Sequence, residues 1–456
     1  MPLQGTRETQ AVPSTPEAPA PRIDRAVLAA RRARFMDQIG DGVCVFPGPH
    51  EALRSGDVHY RFRQDSDLLY LTGFEEPDTV AVLAPGHPRT RFVLFVRPRD
   101  PSAETWTGRR AGVEGAVERF GADAAYPIGD LDRVLPGLVE GNEALWYPLG
   151  RDRAFDARIT DLLNDLRSRV RAGVAAPSRI VDPRTALHEM RLYKSPEEID
   201  LMRRAAEITR EGHLAGLVAI RPGAMEYEVE AAIEFTFRRR GAEGPGYPTI
   251  VGSGPNATIL HYTSNSREIR PGDLVLVDAG AELDHYNADV TRTYPAGGRY
   301  HGPARDVVAA VLAAQAAAIA AVKPGARFDD VHQTALRSLV PSLIDLGLLS
   351  GDPEELIKSE AYRPFYMHRT SHWLGLDVHD VGAYRKDGES RRLEPGMVLT
   401  VEPGIYVAPD ADAPERLRGL GTRFEDDVLV TATGHEVLTE AIPRAIDAIE
   451  DLVPLV

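Results

Sequence analysis

Residues 271–280 read Pro-Gly-Asp-Leu-Val-Leu-Val-Asp-Ala-Gly, and residues 395–404 read Pro-Gly-Met-Val-Leu-Thr-Val-Glu-Pro-Gly. The second stretch echoes the first: a Pro-Gly turn, a short apolar run, one acid, then a small residue or an imide before a closing Gly. A Pro-Gly turn followed by Val, Leu and Thr is a strand signal, so Asp278 and Glu402 stand where two buried strands end. Burying an unpaired carboxylate costs several kcal/mol or shifts its pKa until it is neutral. Doing so twice, in matching units, calls for a shared counter-ion. Asp278 and Glu402 read as metal ligands.

A further acid follows each of these. Asp289 opens Asp-Val-Thr-Arg-Thr and Glu425 opens Glu-Asp-Asp-Val-Leu-Val, each again at the edge of a Val-containing strand. Between the units lies His368-Arg-Thr-Ser-His372-Trp-Leu-Gly-Leu-Asp-Val-His379-Asp. Four carboxylates and an imidazole converging from two pseudo-symmetric halves suit harder divalent ions such as Mn²⁺, and also Co²⁺ or Zn²⁺. Four carboxylates overcharge one divalent ion, so a pair about 3.5–4 Å apart with bridging carboxylates is the economical reading. A lone Asp in such a place would more simply be a cap or a surface charge. His368 and His372 are four apart, but Arg369 follows the first, so this is not the helical zinc motif His-Glu-x-x-His.

With 456 residues the chain has room for two sizeable domains. A net charge of −15 argues against a nucleic-acid partner and for a protein repelled by anionic surfaces. The single cysteine, Cys44, lies in the apolar run Val43–Phe46 and reads as a buried strand residue of a protein from a reducing compartment, the cytoplasm. Residues 1–22, with prolines among Ala, Thr and Gln, read as a disordered tail. The apolar stretch Val307–Val322 is mostly alanine and is expected to be a buried helix rather than a membrane span.

Strands at Val43–Phe46, Val80–Leu83, Phe92–Val96 and near Leu145–Tyr147, mixed with helices, predict a smaller α/β domain over 23–180. No Gly-rich phosphate motif marks it as a nucleotide domain. The junction is expected within 175–194, and a second domain over 191–456. Ser195-Pro-Glu-Glu is a capping box with Pro at the first helical position, opening a long amphipathic helix through Ile199, Met202 and Ala206. Helices followed by clustered antiparallel strands predict an α+β fold for this second domain.

Taken in order, Ser195-Pro-Glu-Glu, Val-Gly-Ser-Gly (251–254), His261-Tyr-Thr, Val-Asp278-Ala-Gly, Asp289-Val-Thr-Arg-Thr, the histidine segment, Val-Glu402-Pro-Gly and Arg423-Phe-Glu425-Asp-Asp resemble the pita-bread metallopeptidases. Tyr60-Arg-Phe-Arg-Gln-Asp-Ser-Asp67 with Leu71-Thr-Gly-Phe74 narrows the resemblance to the Xaa-Pro aminopeptidases. It covers nearly the whole chain after residue 22. The resemblance implies a pseudo-two-fold antiparallel sheet covered by helices, preceded by the smaller α/β domain. It also implies two divalent ions, most often Mn²⁺, and a homodimer or homotetramer. In it Asp278 chelates one metal, Asp289 and Glu425 bridge both, and His372 with Glu402 completes the second. His261, His368 and His379 match second-shell and substrate-contacting histidines, while Arg423 and Tyr406 match residues that orient the carboxylates. Trp106 and Asp57 match positions that approach an active site, that of a neighbouring subunit included; Trp106 fits plain core or interface packing equally well.

The implied activity is hydrolysis of the N-terminal Xaa-Pro bond of a peptide by a metal-bridging hydroxide. In this reading Glu402 is ligand and base, His379 is the oxyanion donor, and His261 and Tyr247 lie against the substrate. Two departures touch no expected ligand and bear on specificity: Arg369-Thr370 follows His368 where bacterial members have Gly-Leu, and Pro248 replaces an Asn. The competing readings are a prolidase, which cuts only dipeptides, and a non-catalytic binding protein on the same fold.

Overall fold

The computed structural model describes residues 22–452, so residues 1–21 of the expected tail lie outside the described residues. The chain divides into two compact units between Leu187 and His188.

The first unit is built on a six-stranded sheet. Its strands run in the order Ala124–Pro127, Phe92–Val96, Val80–Leu83, Gly42–Pro47, Ala144–Trp146, Arg179–Val181. The two pairings around Val80–Leu83 are antiparallel and the three outer ones parallel. The four expected strands are there. The two flanking ones, Ala-Ala-Tyr-Pro and Arg-Ile-Val, carry too short an apolar run to be read from sequence alone, and Arg179–Val181 extends one residue past the expected domain end. Cys44 is buried and unpaired on the central strand, opposite Leu83.

The second unit turns on two matching hairpins. Leu274–Asp278 pairs antiparallel with Thr291–Pro295, with Asp278 opposite Thr291. Val398–Val401 pairs antiparallel with Asp426–Val430, with Val401 opposite Asp426. Each register brings two acids to the same end of its hairpin: Asp278 with Asp289, and Glu402 with Glu425. The closing glycines explain why the echo keeps them. A Cβ on Gly280 would lie 1.7 Å from the Ala288 carbonyl oxygen, and one on Gly404 would lie 2.5 Å from the Tyr406 hydroxyl.

Helices cover these hairpins. Pro196–Ala219 starts with the expected capping box, Ser195 accepting from the Glu198 N–H and Glu198 from that of Ser195. Gly302–Ala321 is longer and more apolar than its alanine run led us to expect: by length and hydropathy alone it passes for a membrane span. Its inner face, Val307, Val311 and Ala314, is nevertheless packed in the core, and the Gln315 amide donates to Asp426 at 3.0 Å. It is a core helix.

His213, on the buried face of Pro196–Ala219, sits between the Tyr294 hydroxyl (3.1 Å) and the Ala279 carbonyl (3.0 Å). Burial, helped by Arg292, pushes its pKa down to about 4 from an ordinary 6.5. The unfolded chain therefore takes this proton first as pH falls. Stability is full above about pH 6.5 and declines toward pH 4, by about 3 kcal/mol for this group. Urea unfolding across that range should show the decline, and His213→Gln should flatten part of it. Gly280→Ala should cost about 3 kcal/mol by the same assay, because the added methyl has only backbone to displace.

Candidate metal centre

The two hairpins meet through Thr291, whose carbonyl accepts the Glu425 N–H at 3.0 Å and whose hydroxyl donates to Glu425 Oε2 at 2.6 Å. That contact brings all four acids into one buried group. Residues 370–374 then run alongside Val398–Val401: Thr400 N–H donates to the His372 carbonyl and Glu402 N–H to that of Thr370. His372 Nε2 is thereby set 3.3 Å from Asp289 and 3.6 Å from Glu402. Its Nδ1 lies 2.9 Å from the Trp373 carbonyl, which can only accept, so Nδ1 carries a hydrogen and Nε2 faces the acids. One ligand atom each from Asp289, His372 and Glu425 lies within 4.8 Å of the others.

The electrostatics of this group fit a cation. Burial, reinforced by Asp289 and Glu402, pushes Glu425 well above the usual carboxylate range. Burial also lifts Glu402 to about 7, against the opposing pull of His372 and Arg423. Asp278 is raised by burial despite the Arg423 guanidinium beside it. Burial opposes charge on His372 too, but Asp289 and Glu402 outweigh it and raise the imidazole to about 9. Asp289 goes the other way: burial is outweighed by its hydrogen bond to His372, which holds it below the usual carboxylate range. Three carboxylates that resist ionising and one that stays charged, around an imidazole with its Nε2 turned inward, are a donor set for divalent ions.

A guanidinium braces the set from behind. Arg423 donates to Asp278 at 2.5 Å, to the Thr291 hydroxyl at 2.9 Å and to the Tyr406 hydroxyl at 3.0 Å. Tyr406 in turn lies 2.8 Å from His368 Nε2, whose Nδ1 is 2.8 Å from the Arg369 carbonyl. Both nitrogens of His368 are thus engaged, and burial with the nearby Arg423 pushes its pKa down to about 3. Tyr247 donates to the other oxygen of Asp278 at 2.6 Å.

His379 packs edge-on against the His372 ring, 4.5 Å between centroids, and is exposed; His261 is exposed on a loop after the 3-10 turn Gly254–Thr258. Trp106 and Asp57 belong to the first unit. Trp106 is 88% exposed on the short helix Pro101–Thr107, which removes the core-packing alternative, and Asp57 is exposed in a hairpin turn. Of the departures, Arg369 pairs with Asp329 at 2.6 Å, and the Thr370 hydroxyl joins His332 (2.8 Å) to Tyr366 (2.6 Å).

Residues 200–432 match the model of metallopeptidase family M24, and residues 28–146 match the N-terminal domain of aminopeptidase P. The chain belongs to family M24. Among its M24 relatives, the Xaa-Pro aminopeptidase of Escherichia coli is 45% identical, over 94% of this chain and 98% of that protein. The Xaa-Pro aminopeptidase of Haemophilus influenzae is 44% identical, over 88% and 91%. The solved structure of aminopeptidase PepP from Pseudomonas aeruginosa is 47% identical and superposes with a TM-score of 0.93, covering 95% of this chain and 98% of that one. The fold is therefore the pita-bread fold with its separate N-terminal domain, and the chemistry is that of a metal-dependent hydrolase.

Two contributors to this M24 centre were quoted in the sequence motifs without a role. Asp427, buried, accepts the Asp289 N–H at 3.1 Å, and Thr291 joins Glu425 to Arg423. Strand alternation was the available signal: 289 and 291, and 423, 425 and 427, are spaced by two and share a face. Arg423→Met should leave Asp278 buried without its cation. In metal-free protein we expect a loss of about 3–5 kcal/mol, read by urea unfolding in the presence of a chelator.

Proposed function

We propose that the chain is an Xaa-Pro aminopeptidase that removes the first residue of peptides with proline second, using two divalent ions. The observation that carries this reading is the buried group of Asp278, Asp289, Glu402 and Glu425 with His372 Nε2 turned into it. Those five residues would hold the ions, Asp289 and Glu425 between them. A carboxylate-rich set with one imidazole favours Mn²⁺. When bound, the ions supply Lewis acidity, polarising the scissile carbonyl and making water a nucleophile near neutral pH.

The chain's own groups do the rest. Glu402 takes the proton of the attacking water and returns it to the departing nitrogen. In an Xaa-Pro bond that nitrogen bears no hydrogen, so the ring is recognised by shape, with Tyr247 and His261 lining the approach. His379 reaches solvent with one side of its ring against His372; partial desolvation and that neighbour lower its pKa, and it supplies a neutral N–H to the developing oxyanion. His368 transfers no proton in this scheme; neutral, with its hydrogen on Nδ1 toward the Arg369 carbonyl, it holds Tyr406, and through it Arg423, in place. Trp106 and Asp57 would act from a neighbouring subunit of a homodimer or homotetramer. The lone buried cysteine suits the cytoplasm.

The test is to incubate metal-stripped protein, with and without Mn²⁺, with a tripeptide Xaa-Pro-Yaa and a dipeptide Xaa-Pro, reading products by mass spectrometry. Mn²⁺-dependent release of the first residue from the tripeptide is expected. Cleavage of the dipeptide alone makes the enzyme a prolidase, and cleavage of neither by metal-loaded protein sinks the reading in favour of a binding protein. His379→Ala should lower kcat about 10²–10³-fold, with the bound metal, measured by atomic emission, unchanged.

A further inference from the structure

Glu226 is fully buried at the start of the helix Glu226–Arg239, far in sequence from the acids of the centre. Its two carboxylate oxygens are divided between two ends of one loop. Oε1 accepts from the Ser253 N–H and hydroxyl, both at 2.7 Å, and from the Asn256 amide at 3.1 Å. Oε2 accepts from the Tyr262 hydroxyl at 2.9 Å and the Arg267 N–H at 2.8 Å, with a longer contact from the Asn256 amide at 3.4 Å. The donors to Oε1 precede His261, and the two short contacts of Oε2 follow it. Around Tyr262, residues 259–264 have no regular structure, and His261, Thr263 and Ser264 are exposed; the next residue, Asn265, is buried and bonded to Val251, Thr249 and Glu230. A second strap reinforces the closure: the Arg267 guanidinium donates to the Ser253 hydroxyl at 2.6 Å and pairs with Asp273 at 2.5 Å.

We infer that Glu226 is a positioning residue for His261, closing the His261 loop at both ends from a rigid helical base. The inference rests on the reading of His261 as a substrate-contacting group. A carboxylate is acceptor-only and can serve every one of these donors. Glutamine cannot: its amide nitrogen would face donors at one end and weaken the hold there. An exposed loop without such an anchor opens at little cost, and a group displaced by 1 Å from its substrate can lose about 10²-fold in rate.

The experiment compares wild type, Glu226→Gln, Tyr262→Phe and His261→Ala, alone and combined. Amide hydrogen exchange read by mass spectrometry, which needs no activity, should quicken over 259–267 in Glu226→Gln and stay unchanged over 274–278. Unchanged exchange over 259–267 would overturn the inference even if the enzyme proved to have another substrate. Under Mn²⁺-loaded turnover of Xaa-Pro-Yaa, Glu226→Gln should lower kcat/KM about tenfold or more, and by far less in the His261→Ala background. An equal loss in both backgrounds means Glu226 acts elsewhere and overturns the inference too. Should Glu226→Gln fail to fold, Tyr262→Phe, which removes the Tyr262 bond to Glu226 together with the 3.2 Å bond that its hydroxyl accepts from the Ser266 N–H, carries the same measurements with the same criteria.

Discussion

Everything in the second unit is arranged around the mutual repulsion of four buried carboxylates. Left to themselves, such groups separate, draw in water or take up protons. Here they are prevented from separating because each ends or borders a strand whose partner is fixed by register, and the two hairpins are locked to each other through Thr291. The closing glycines let the backbone turn away immediately, so that no side chain wedges the acids apart. One guanidinium and one imidazole offset part of the charge. The remainder is an affinity for divalent cations built into the fold.

The same strands separate two tasks by alternation. Residues 423, 425 and 427 face the acids. Asp426 faces the other way, where Arg292, Gln315 and Arg444 hold it at 2.7, 3.0 and 2.9 Å. One face of the hairpin binds and the other keeps the strand in place. The histidines divide likewise. His372 rides on an extended segment bonded edge to edge with a strand, while His261 and His379 are exposed on loops. Groups that hold a fixed ion are on rigid backbone, and those that meet a changing substrate are on backbone that can adjust.

Asp278 and Glu402 were legible because a Pro-Gly turn, an apolar run and a terminal acid are all local signals, and their recurrence marked them as a pair. Ser195-Pro-Glu-Glu was legible for the same reason, since every partner in a capping box lies within three residues. Glu226 was not, because its five donors are spread from Ser253 to Arg267 and nothing local says that they meet. The engagement of both His368 nitrogens depended on Tyr406, 38 positions away, and could not be read from the motif. The helix Gly302–Ala321 shows the converse: its composition fits a membrane as well as a core, and only Gln315 meeting Asp426 decides it. The edge strands Ala124–Pro127 and Arg179–Val181 were missed because parallel neighbours, not their own residues, make them strands.

Arg292 is fully buried, and besides Asp426 it donates to the carbonyls of Glu425, Ile442 and Pro443 at 2.6, 3.0 and 3.0 Å. Apart from the carbonyl of its neighbour Thr291, its acceptors come from chain some 130 to 150 positions after it. When the first hairpin is made, four of the five acceptors of this cation are still to come. Burying Arg292 with its hydrogen bonds met therefore needs the chain through Pro443. The first hairpin and the last strands are thus completed together, and the centre is a product of the chain's two distant halves rather than of either one.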